Sequence, residues 1–155
     1  VSFWNLVGAG IFGFLINTPL ALYYMQGLNT TPLHGHTALF GVYGNLGLGL
    51  ILFCLILMKK DGWNNLHMKW AFWGINGGLL LMAILSLLPV GLAQTFASVE
   101  IGMWYARSPE FLQTPVLQFF RWMRVIGDTI FAAGSVILAW YILIPRQRKE
   151  VSKAS

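Results

Sequence analysis

Pro32-Leu33-His34-Gly35-His36 heads an apolar run that continues to Met58. A run of about 20 such residues crosses a bilayer as a helix, and ionisable side chains inside such a helix are rare and mark function. Each helical residue turns the chain by roughly 100°, so residues i and i+2 point roughly 200° apart. His34 and His36 therefore face nearly opposite sides and cannot readily chelate one ion, as an i, i+4 pair could. Each can reach its own partner. Imidazole is a common axial ligand of haem iron, so one reading places a haem on either side of the helix. Gly35 adds no bulk between them. The other reading is a pair of helix-start histidines at the membrane interface, hydrogen-bonded to backbone or water. The spacing alone does not choose between the two.

Composition supports the membrane. Of 155 residues, 57% are hydrophobic and 10% charged, and the mean hydropathy is +0.66; soluble domains carry about a quarter charged residues. Cys54, inside an apolar run, is the single cysteine, which excludes a disulfide framework or a paired-cysteine metal knuckle. The net charge of +5 resides at the ends of apolar runs, as membrane topology requires, and does not indicate nucleic acid. The chain opens inside an apolar segment, with neither an initiator Met nor a basic signal-peptide start. That start leads us to expect the C-terminal portion of a longer polypeptide, or a piece cut from one.

The expected fold is all-α, with four transmembrane helices at about 3–24, 34–58, 68–90 and 116–144, forming one unit over 1–155. Gly8, Gly10 and Gly13 in the first, and Gly41, Gly44, Gly47 and Gly49 in the second, predict close packing against helices or cofactors. Pro19 is expected to kink the last turn of the first. The third carries Asn76, Gly77 and Gly78 midway and Pro89 near its end. The connection from Gly91 to Pro115 is the longest, and Gln94, Glu100, Trp104, Tyr105, Arg107 and Glu110 make it polar. Its first part reads as a short interfacial helix or as a continuation of the third helix.

Lys59, Lys60, Lys69, Arg146, Arg148, Lys149 and Lys153 fall on one side of a four-span chain, which the positive-inside trend makes cytoplasmic. His67 then lies in a cytoplasmic turn, and His34 and His36 near the outer face. Arg107, Arg121 and Arg124 oppose the trend and need a local reason. Guanidinium groups pair well with carboxylates such as haem propionates. Equally, Arg124 and Asp128 are i, i+4 neighbours, an ordinary helix pair. Asp128 and Glu100 are the acidic residues nearest the outer half and candidates for proton delivery, with an ion pair the simpler role for Asp128.

Longer motifs add a resemblance. The runs Phe3 to Asn17, Tyr23-Tyr24, His34-Gly35-His36-Thr37-Ala38 and Gly41-Val42-Tyr43-Gly44 resemble the catalytic subunit of bacterial nitric oxide reductases, in the haem-copper oxidase superfamily. Leu88 to Gly91, Gln94-Thr95, Ala97 to Glu100, Gly102 to Ser108 and Arg121 to Asp128 resemble its quinol-dependent branch, in which one subunit suffices. The likeness covers all but the tail after Pro145. It implies that these helices are the last four of a twelve-helix core in the bacterial cytoplasmic membrane. It implies that His34 is the axial ligand of high-spin haem b3 and His36 one axial ligand of low-spin haem b, with Arg121 and Arg124 as possible propionate contacts. The family's non-haem iron takes three histidines and a glutamate from earlier helices, so its ligands are expected outside this chain, in the remainder of the catalytic polypeptide. The implied reaction is the reduction of two NO to N₂O and water with electrons from quinol. Two alternatives stand beside it: a portion of an oxygen-reducing member of the superfamily, or a cofactor-free four-helix membrane protein.

Overall fold

The computed structural model describes residues 1–58 and 65–143. Among them the regular structure is entirely helical: α1 (Ser2–Asn17), α2 (Pro19–Met25), α3 (Thr30–Met58), α4 (Leu66–Glu100), α5 (Pro109–Leu112) and α6 (Pro115–Leu143), with a 3₁₀ turn at Tyr105–Arg107. Helices α3, α4 and α6 are each long and apolar enough to cross a membrane, and α1 with α2 makes a fourth span if the bent pair counts as one. The chain is a multi-pass, all-α membrane protein. The expectations for Lys59, Lys60 and the tail from Arg146 to Lys153 lie outside the described residues.

Two prolines act differently from one another. The helix expected over 3–24 is broken, not kinked: Thr18 is extended (φ −63°, ψ 138°) and Pro19 opens α2, which leaves α1 at 91°. Proline pushes the preceding residue out of the helical region and is itself well suited to the first turn of a new helix. Pro89 ends nothing. The helix expected to stop near 90 runs on to Glu100, the continuation foreseen as one of two options. An interior proline lacks an N–H donor and its ring collides with the carbonyl four residues back. Here a π-helical turn, Ala83–Leu87, sits where that collision would occur, and its wider spacing accommodates the ring.

Helices α4 and α6 form the closest pair. A Cβ on Gly78 would lie 2.4 Å from the Phe131 backbone nitrogen, and one on Gly127 2.5 Å from that of Met82. Backbones approach this closely only where no side chain intervenes. Helix α1 crosses α3 by the same means, with Gly8 against Thr37. Of the four glycines expected to pack along α3 against helices or cofactors, Gly41 meets another helix at Trp4; the nearest atoms to Gly44 belong to Phe40 of its own helix, and Gly47 and Gly49 have nothing within 4 Å among the described residues. Apolar clusters of Leu33, Met82, Ala83 and Leu87, and of Trp4, Val42 and Leu79, fill the joints. Asn76 pins the middle of the bundle: its Oδ1 accepts from Trp4 Nε1 at 2.9 Å and from Asn45 Nδ2 at 3.1 Å. Polar groups at this depth need such internal partners.

Candidate functional site

The two histidines stand where α3 changes from α-helical (Thr30–Gly35) to π-helical (His36–Gly44) winding. His34 leans on α1. Its Nδ1 lies 2.8 Å from the Gly8 carbonyl oxygen, and a Cβ on Gly13 would come within 2.8 Å of its Cε1. His36 turns back on its own helix, with Nδ1 2.7 Å from the Pro32 carbonyl oxygen. A carbonyl only accepts, so each Nδ1 carries the proton and donates. In a neutral ring the lone pair is then on Nε2. Metal-bound imidazoles are held in this way, with the distal nitrogen tied to a carbonyl and the other nitrogen offered to the metal. Both rings are partly buried, and they address different neighbours.

The Nε2 of His36 faces α6, where Arg124 Nη2 is 3.5 Å away. Arg124 also pairs with Asp128, Nε to carboxylate 3.2 Å, so the i, i+4 contact is formed. Arg124 and Asp128 line a cleft of about 490 Å³ together with Asn29, Gln118, Arg121 and Trp122. Arg121 reaches the Leu112 carbonyl at 3.4 Å. Arg107, the third arginine on this side, is elsewhere and donates to the Gln26 carbonyl, beside Gly27 at φ +72°. Glu100 is exposed at the end of α4, and His67 near its start. The Glu110 carboxyl, outside the spans, is held below the usual range by its own backbone N–H and the Ser108 hydroxyl. Among the described residues no three His, Cys, Asp or Glu side chains come together as a metal site.

The rings suit haem iron by their donor chemistry: a neutral imidazole, oriented through Nδ1, with Nε2 as the ligand atom. At His36 the guanidinium of Arg124 occupies that direction at 3.5 Å, so it must swing aside for iron to enter. A guanidinium so displaced is a natural partner for an anionic carboxylate.

One residue beside the site was not singled out by sequence reasoning as part of it. Gln94 is 4% exposed. Its Oε1 accepts from Asn29 N at 2.9 Å and Asn29 Nδ2 at 2.8 Å, and its Nε2 donates to the Ala106 carbonyl at 2.9 Å. Its signal in the sequence is slight: one amide in the polar stretch after Pro89.

Comparison with known proteins agrees with this architecture. Residues 1–130 match the family described as "Cytochrome C and Quinol oxidase polypeptide I". The chain is 29% identical, over 157 aligned positions, to a subunit of the nitric oxide reductase of Stutzerimonas stutzeri; the alignment takes in 94% of this chain and 31% of that protein. The chain thus spans about a third of the length of this curated relative. With the family pattern running through α1, α3, α4 and into α6, the chain belongs to the cytochrome c and quinol oxidase polypeptide I family.

Proposed function

We propose that this chain is a haem-ligating portion of a respiratory oxidoreductase that reduces nitric oxide, 2 NO + 2 e⁻ + 2 H⁺ giving N₂O + H₂O, in the bacterial cytoplasmic membrane. The observation that carries the reading is the pair of Nδ1-anchored rings, two residues apart, facing different helices. The likeness to part of a nitric oxide reductase supports this reaction, and the motifs from Leu88 to Asp128 favour quinol as the electron donor. His34 is assigned to the high-spin haem b3 and His36 to the low-spin haem b. His34 and His36 would hold the two haems, which would supply electron transfer and, with a non-haem iron whose ligands would come from the rest of the catalytic polypeptide, the site of NO reduction.

The protein's own contribution is orientation and charge. The Gly8 and Pro32 carbonyls fix the two tautomers and ring directions, so neither Nε2 is lost to rotation. Their different directions mean that neither histidine can replace the other. Arg124, with Arg121 in the same cleft, supplies positive charge for the propionates of the group at His36. The α3 helix between the two sites is a rigid spacer.

The test is made in the complete enzyme. His34→Ala is expected to abolish NO consumption and the ligand-binding difference spectrum of the high-spin haem, while the low-spin spectrum largely survives. His36→Ala is expected to reduce the low-spin signal and stop electron entry from quinol. Identical spectral losses in the two variants, or full haem content in both, refute the assignment. Oxygen consumption in place of NO consumption would move the protein to the oxygen-reducing alternative.

A further inference from the structure

We propose that Gln94 is a positioning residue for His36: it holds the opening turn of α3, and with it the Pro32 carbonyl that aims the imidazole. The proposal rests on the reading of His36 as a haem ligand.

Gln94 on α4 uses both ends of its amide. Its oxygen takes the backbone and side-chain N–H of Asn29, the residue immediately before α3, and its NH₂ is tied to the Ala106 carbonyl. A buried amide with three partners has one orientation, and leaving any partner unpaired here is costly. One turn back along α4, Gly91 meets the same segment sterically. A Cβ there would lie 2.7 Å from Thr30 N and 2.8 Å from Thr30 Cγ2. Leu28 and Leu33, at 1% and 2% exposure, are buried in this segment. The first turn of α3 is therefore held by α4 through hydrogen bonds and direct contact.

Pro32 belongs to that turn, and its carbonyl accepts the Nδ1–H of His36. The acceptor for His34 is Gly8, on α1, which has no part in the Gln94 cluster. Displacing the turn thus moves Pro32, the acceptor for His36, while Gly8 stays on α1; His34, in the same turn, shifts against Gly8 as well. Hydrogen bonding to an axial ligand is one of the means by which a protein sets haem potential. Asn29 also lines the cleft beside Arg121 and Arg124, so the same amide shapes the charged wall next to His36.

The test uses the complete enzyme, with electron paramagnetic resonance of the oxidised low-spin haem and a redox titration as readouts. Gln94→Leu removes the three bonds at similar volume. We expect a shifted largest g value and midpoint potential of the low-spin haem, with both haems retained. Gly91→Ala presses on Thr30 from the same side and should shift the same signal; should Gln94→Leu fail to accumulate, it decides alone. Wild-type g value and potential in whichever of the two accumulate would overturn the proposal, as would equal loss of both haem signals. His36→Ala, run alongside, tests the underlying assignment: an intact low-spin signal there would overturn the ligand reading itself, a result distinct from failure of the Gln94 variants.

Discussion

Arg124 stands between two partners, the carboxylate of Asp128 and the Nε2 of His36. Its worth to each differs. The side chains of the ion pair are 39% and 46% exposed in this chain taken by itself, and i, i+4 pairs left that open contribute at most about 1 kcal/mol. Asp128→Asn should therefore change the unfolding free energy of the complete enzyme by less than ~1 kcal/mol, read from a denaturation midpoint in detergent. Arg124→Gln, which removes the charge beside His36, should lower retention of the low-spin haem during purification while the high-spin haem stays, as measured by pyridine haemochrome and difference spectra. Equal haem content in Arg124→Gln and wild type would remove Arg124 from the propionate role. At this scale much is legible in the sequence. The divergence of His34 and His36 follows from helix rotation alone, and the Arg124–Asp128 contact from i, i+4 spacing. The carbonyls that orient the rings are not legible there, because backbone acceptors carry no residue-type signal.

Among the elements, α4 shows how far local rules reach. Pro89 and the polar residues after it suggest an end near 90, yet a π turn absorbs the proline and the helix carries Gln94 to the α2–α3 turn. Thr18-Pro19 shows the reverse: the same residue type makes a 91° corner. The α4–α6 seam gives a direct test. Gly78→Val places side-chain atoms where Phe131 backbone already stands. Overpacking of this kind costs typically 1–3 kcal/mol, at times more, so a loss of about 2 kcal/mol or greater is expected in the detergent denaturation midpoint. Unchanged stability would mean that the two helices do not meet at this glycine. The seam is only half visible in the sequence. Gly78 stands out midway along its run, but Gly127 and Gly134 become meaningful only when paired with α4.

For the whole molecule, topology is the quantity to measure. If α4 and α6 both cross the membrane, Lys60 and Arg148 are expected on one side, and by the positive-inside trend we expect that side to be the cytoplasmic one. Cysteines introduced at Lys60 and Arg148, in a Cys54→Ser background because Cys54 is exposed, should react with a membrane-impermeant reagent from the same side. Opposite accessibility would show that α4 and α6 do not both cross the membrane. Large apolar side chains such as Leu46, Leu50 and Phe53 are exposed along α3, in keeping with lipid contact or with cover from the rest of a longer polypeptide.

The sequence by itself determined the membrane class, the all-α fold and the two histidines as the place to look. These depend on composition, on apolar runs of spanning length and on the fixed rotation of a helix, all of which are local properties. Tertiary structure alone decided which carbonyl holds each imidazole, that Arg124 and not Arg107 lies beside His36, and that Gln94 reaches the turn before α3. Most of these are contacts between segments far apart in the chain: Gly8 with His34, His36 with Arg124, Asn29 with Gln94. Helices can meet at many angles and registers, and which one forms is set by the glycine seams and buried polar bonds acting together, so no single stretch of sequence contains it.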